Sequence, residues 1–160
     1  MNSKFKEALS FFQKGQLNES KKLCLEILKE DPKHVEIYNL YAIVLLQLKK
    51  FDLAIENWNI AIKLKPDYLE AYNNRGKLLF ELGKNADALK SFEKAIELKP
   101  DFAEAYNNQG NALFRLKKID DAFKSYEKAI ELRPDYAMAH NNKGNTLFEL
   151  KKYEAALESY

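Results

Sequence analysis

The four prolines of this 160-residue chain are evenly spaced, and this spacing constrains the fold more than any other feature of the sequence. Pro32, Pro66, Pro100 and Pro134 each follow the previous one by 34 residues. Three of them lie in nearly identical five-residue segments, LKPDY, LKPDF and LRPDY, whereas the first lies in EDPKH. A fixed period of this length predicts a chain built from structural repeats, of which the first is atypical.

Within one period, apolar residues recur at steps of three and four in two separate runs, which is typical of amphipathic helices. Each repeat is therefore predicted to form a helix A and a helix B, giving an all-α fold. With each proline placed at repeat position 32, the chain forms one continuous array of four whole repeats and an incomplete fifth. The predicted boundaries are 1–34, 35–68, 69–102, 103–136 and 137–160.

Local signals mark the ends of these helices. Gly15 and Gly83 follow helix A where a left-handed residue commonly ends a helix, and lysines take that place in the other repeats. Proline cannot continue helix B, so each proline marks its end. After the proline, Asp101 and Glu104 have the D-x-x-E spacing of a capping box, which predicts that Asp101 caps the next helix A.

The repeat pattern resembles the tetratricopeptide repeat family over essentially the whole chain. That motif has an aromatic at position 4, a small residue at 8, a large apolar residue at 11, alanine at 20 and 27, an aromatic at 24 and proline at 32. The second, third and fourth repeats match at all seven positions. In the third repeat the matching residues are Tyr72, Gly76, Leu79, Ala88, Phe92, Ala95 and Pro100. The resemblance implies a right-handed superhelical solenoid in which these residues pack the helices and the A helices line a groove.

Asparagines dominate the positions of helix A that this packing motif leaves free. Positions 5, 6 and 9 of the last three repeats hold eight asparagines and one lysine. Asparagine is less favourable than alanine in a helix interior, so helix stability alone does not explain them. A carboxamide carries both a donor and an acceptor and can bind a peptide backbone without reading its side chains. The predicted groove residues are Asn73, Asn74, Lys77, Asn107, Asn108, Asn111, Asn141, Asn142 and Asn145.

Two observations refine this groove. The repeats are similar to those of the protein O-linked N-acetylglucosamine transferases, and the resemblance implies that the position-6 asparagines Asn74, Asn108 and Asn142 bind the peptide backbone. An alternative is that these asparagines were inherited together by duplication and that some bond only to neighbouring helices. Position 12 adds apolar residues that either pack between the A helices or form the groove floor, including Phe80, Phe114 and Phe148.

Composition and missing motifs exclude other classes of function. The formal net charge of +2 predicts no nucleic-acid partner, and no apolar run is long enough for a membrane span. His34, His140 and Cys24 have no partners at metal-ligand spacing, and no catalytic or nucleotide-binding motif occurs. We therefore predict a cytoplasmic protein that is not an enzyme, without catalytic residues, cofactor or metal.

The predicted function is a protein-protein interaction module that binds an extended peptide. Two alternatives stay open: a substrate-recruiting N-terminal arm of a larger transferase, and a structural scaffold that assembles by stacking of repeats. The fifth repeat stops after 24 residues, which leaves its apolar interface uncovered. Such an interface predicts self-association through the C-terminal repeat.

Overall fold

The computed structural model describes residues 3–159, and over this range the chain forms α-helices and no strands. The prediction of an all-α fold is confirmed. Each predicted repeat segment contains two helices, of which the second in the last segment is short. The helices are α1 (Ser3–Gln13), α2 (Leu17–Glu30), α3 (Val35–Gln47), α4 (Phe51–Leu64), α5 (Leu69–Glu81), α6 (Asn85–Leu98), α7 (Ala103–Arg115), α8 (Ile119–Leu132), α9 (Ala137–Glu149) and α10 (Tyr153–Ser159).

The turn within each helix pair is closed by a left-handed residue, as the sequence predicts. In the turn between α5 and α6, Gly83 has a φ of 73° and its N–H donates to the Phe80 carbonyl over 2.9 Å. The next N–H, that of Lys84, donates to Leu79 O over 2.8 Å, which completes a Schellman motif. The equivalent residues of the other four turns also have positive φ: Gly15, Lys49, Lys117 and Lys151.

The predicted capping box is wrong. Helix α7 begins at Ala103, so the N-cap residue is Phe102 rather than Asp101, and no side chain caps it. The basic residue before each of the last three prolines instead lies over the aromatic ring three positions later. The Arg133 guanidinium carbon is 3.6 Å from the centroid of the Tyr136 ring, and the Tyr136 N–H donates to Arg133 O over 3.1 Å. This proline turn positions the following helix through a backbone hydrogen bond and a cation–π contact.

The chain divides into two compact units, Met1–Ala71 and Tyr72–Tyr160. In the first, α1, α2 and α3 enclose a cluster of fully buried residues that includes Ala8, Ile27 and Ile37. Cys24 lies in this cluster, and burial raises the pKa of its thiol to about 11, so the thiol stays uncharged at neutral pH. On α4, Trp58 is fully buried and its Nε1 donates to Asn39 Oδ1 over 2.9 Å.

In the second unit, glycines on the A helices let the aromatic rings of the B helices approach the backbone. A Cβ atom added to Gly76 would lie 2.6 Å from the Phe92 ring, and one added to Gly110 would lie 2.5 Å from the Tyr126 ring. These distances are too short for a non-bonded contact, so a larger residue in place of either glycine would force the ring to move. The predicted packing of small and aromatic residues at positions 8 and 24 is confirmed for these two pairs.

A partly buried polar bridge also joins α5 to α6. Arg75 donates from Nε and Nη2 to the Ser91 hydroxyl over 3.2 and 3.1 Å, and Ser91 donates in turn to Asp87 O. Burial lowers the pKa of the Arg75 guanidinium. The same positions of the next repeat are joined by a hydrogen bond from the Ser125 hydroxyl to Gln109 Oε1 over 3.0 Å.

Candidate functional site

The predicted site residues all lie in the second unit, on three equivalent helices. Helices α5, α7 and α9 each have 13 residues and begin 34 residues apart, at Leu69, Ala103 and Ala137. Side chains at the same repeat position therefore lie on matching faces of successive helices. Helix α7 contacts α9, and Lys77 on α5 pairs with Glu104 on α7.

The asparagines at position 5 do not form a row of side chains that face a groove. Asn73 is 8% exposed and Asn107 is 3% exposed, whereas Asn141 is exposed. The asparagines at position 6 are all partly buried: Asn74, Asn108 and Asn142. The two inner asparagines of position 5 therefore lie between the helices, where they are not open to a bound peptide.

Several asparagine side chains of the second unit form hydrogen bonds with one another. Asn142 donates from Nδ2 to Asn107 Oδ1 and to Asn111 Oδ1, both over 3.0 Å, which links α9 to α7. The Tyr126 hydroxyl on α8 donates to the same Asn111 oxygen over 2.9 Å. Burial raises the pKa of Tyr126 above its usual range, so its hydroxyl keeps the proton that it donates. Asn107, Asn111 and Asn142 therefore bond to neighbouring helices, as the alternative from the sequence expects of some asparagines.

Asn108 differs from Asn142. Its Nδ2 is buried and has no hydrogen-bond partner within the described residues. The Oδ1 of Asn73 is also buried and also has no hydrogen-bond partner within the described residues. A buried amide without a partner is unfavourable by about 1–3 kcal/mol, so such groups are rare unless something else satisfies them.

Three cavities adjoin along these helices, and we call them together the groove. Asn108 lines the first, of about 300 Å³, with Lys77, Phe80, Glu81, Phe92 and Asn111. The second, of about 370 Å³, is lined by Phe80, Asn111, Phe114, Arg115, Tyr126, Asn142 and Asn145. The third, of about 330 Å³, is lined by Phe80, Glu81, Gly83, Asn85 and Arg115.

The phenylalanines predicted at position 12 have two roles. Phe80 and Phe114 are partly buried and also line the groove, and Phe80 is shared by all three cavities. Phe148 is 59% exposed and lies edge-on against Tyr153 of α10, with ring centroids 5.2 Å apart. Phe80 and Phe114 thus combine packing with an apolar groove wall, while Phe148 lies outside these cavities.

The structure therefore brings together seven of the predicted residues in the groove and adds others that the sequence analysis did not select. Arg115 and Glu81 occupy position 13 of α7 and α5, one position beyond the phenylalanines. The packing motif leaves position 13 free, and this is the signal that could have identified them. The predicted residues in the groove are Lys77, Phe80, Asn108, Asn111, Phe114, Asn142 and Asn145.

Between residues 3 and 159, no three histidine, cysteine or acidic side chains come together as a metal site would require. None of the helices described in this range combines the length and apolar character needed to cross a bilayer.

Comparison with known proteins identifies the repeats. Three family models described as tetratricopeptide or TPR repeat match residues 73–136, residues 42–83, and residues 23–56 with 125–158. No curated protein matches the sequence.

Solved structures show the same fold at low sequence identity. MamA from Desulfovibrio magneticus RS-1 is 21% identical with a TM-score of 0.91, and the match covers 99% of this chain and 92% of that chain. YrrB, a TPR protein with an unusual peptide-binding site, is 21% identical with a TM-score of 0.85 over 98% and 80%. PilF of Pseudomonas aeruginosa is 21% identical with a TM-score of 0.86 over 99% and 72%. With its 34-residue helix pairs and these matches, the chain belongs to the tetratricopeptide repeat family.

Proposed function

We propose that the chain is a non-catalytic protein-interaction module that binds an extended segment of a partner protein in the groove of its second unit. The observation that carries this proposal is the buried Nδ2 of Asn108, which has no partner within the described residues and lines a cavity. A carbonyl oxygen of a bound backbone is a suitable acceptor for this N–H group. YrrB, which shares the fold, has a peptide-binding site, and this supports the same kind of ligand here.

The chemistry of the groove suits an extended segment whose sequence can vary. The rings of Phe80 and Phe114 offer apolar surface, and Asn108 offers an amide. Each satisfied hydrogen bond contributes about 1 kcal/mol net, and ordering a flexible peptide opposes binding. We therefore expect affinities in the micromolar range, which corresponds to a binding free energy of about −8 kcal/mol.

Fluorescence polarisation with a library of labelled extended peptides tests this proposal. We expect the wild type to bind many sequences and Asn108→Ala to weaken them about tenfold, which corresponds to about 1.4 kcal/mol. Asn18→Ala is the matched control, since Asn18 is an exposed asparagine on α2 in the first unit. Circular dichroism should show equal helicity for all three proteins. A wild type that binds no peptide would refute the proposal, as would equal weakening by the two variants.

A structural scaffold is the second candidate function, and the bonds from Asn142 to Asn107 and Asn111 favour it. If these asparagines serve only to join helices, Asn142→Ala lowers stability and changes no binding. A recruiting arm of a larger transferase is a narrower form of the first proposal. The position-6 asparagines Asn74, Asn108 and Asn142 support it.

A further inference from the structure

Some of the basic side chains near the groove form ion pairs with acidic residues, whereas Arg115 forms none within the part of the chain that the structure describes. Lys77 pairs with Glu104, and Lys143 pairs with Glu127 over 3.2 Å. Arg115 is exposed and forms no ion pair or hydrogen bond with the residues described between 3 and 159, although it lines the second and third cavities. Among the residues that the structure describes, Arg115 is therefore the available cation of the groove, at the C-terminal end of α7.

Two amides of the groove, those of Asn111 and Asn108, offer donors. Asn111 Oδ1 already accepts hydrogen bonds from Tyr126 and Asn142, so the remaining capacity of Asn111 is chiefly its N–H₂ group. Asn108 also presents a donor, its buried Nδ2. With the guanidinium of Arg115, these groups favour an occupant that is rich in acceptors and negatively charged.

Glu81 is the one acidic side chain that lines the groove within the described residues, and it lies on the α5 side of the third cavity. It forms no ion pair with Arg115, although both residues line that cavity. A carboxylate entering the groove is repelled by Glu81 and attracted by Arg115. The pair therefore fixes the end of the groove at which an acidic group binds.

We infer that the segment bound in the groove carries an internal aspartate or glutamate that pairs with Arg115, next to a bulky apolar side chain packed against Phe80 and Phe114. This inference rests on the proposed function and specifies its ligand. Arg115 directly follows Phe114, the phenylalanine of its helix. We therefore expect the acidic and the apolar side chain of the bound segment to be close in sequence.

Two pools of extended peptides, blocked at both ends and labelled with fluorescein, test the inference. The pools share a central leucine and differ at the adjacent position, which is glutamate in one and glutamine in the other. We expect the wild type to bind the glutamate pool about fivefold more tightly at low salt, a preference that shrinks as added salt screens the pair. Arg115→Gln should abolish the preference and Glu81→Gln should increase it.

Lys118→Gln is the matched control, because it removes the same charge three residues away, at the N-cap of α8 and outside the three cavities. We expect it to keep the preference. Equal wild-type affinity for the two pools would overturn the inference and leave the proposed function intact, whereas no binding of either pool would overturn both. A preference that survives Arg115→Gln would overturn the assignment to Arg115. Binding that needs an unblocked C-terminal carboxylate would contradict an internal acidic residue.

Discussion

Replacing Trp58 with alanine is expected to lower the free energy of unfolding by about 4 kcal/mol. Trp58 is the largest fully buried side chain, and its indole N–H donates to Asn39 Oδ1 over 2.9 Å. Alanine would leave a cavity that the surrounding helices fill only in part, and it would remove this hydrogen bond. Urea denaturation followed by circular dichroism at 222 nm measures the loss, because the variant contains no tryptophan for fluorescence.

Trp58→Phe is the control for this experiment. The equivalent residues of the next two repeats are Phe92 and Tyr126, so a single six-membered ring suits this position of the fold. We expect the phenylalanine variant to lose about half as much stability, since most of the buried apolar area is kept. Equal losses for the two variants would show that the volume of the ring is not what stabilises this part of the chain.

Replacing Gly110 with alanine should destabilise the second unit by about 2 kcal/mol, although alanine is the better helix former. The added methyl group would lie 2.5 Å from the buried Tyr126 ring, which must then move. Movement of this ring also disturbs its hydrogen bond to Asn111 in the groove. Thermal and urea unfolding of the purified variant measure the effect.

A double variant separates the steric effect from helix propensity. Tyr126→Leu removes the ring that faces Gly110, so Gly110→Ala in that background should be neutral or slightly stabilising. The double-mutant cycle is then strongly non-additive. Additive losses would contradict the close packing of Gly110 against Tyr126, and a stabilised single variant would contradict it as well.

The fold could be predicted closely because its signals are local and repeated. Gly83 and Lys117 occupy the same turn position, and both have the positive φ that a helix C-terminus requires. The start of helix A was predicted wrongly, because D-x-x-E spacing occurs in both proline turns and capped helices. In the structure a turn closed between Lys99 and Phe102 shifts the first helical residue to Ala103.

The groove was predicted less completely. Spacing shows that Asn108 and Asn142 share a face, but it does not show that the Asn142 amide is bonded to α7 while the Asn108 amide is not. Those differences depend on distances between helices, which a single sequence does not specify. Arg115 was missed for a related reason. The residues at its position in the neighbouring repeats are Glu81 and Glu149, so the position shows no common chemistry.

The measurement that tests the central claim most directly is an NMR titration of the isotope-labelled protein with the strongest peptide from the library. We predict that the side-chain N–H₂ signals of Asn108 and Asn111 shift, together with backbone signals of α5, α7 and α9. Signals of α1 and α2 in the first unit should not change. Shifts confined to the first unit, or an unchanged Asn108 side chain at saturation, would contradict the account.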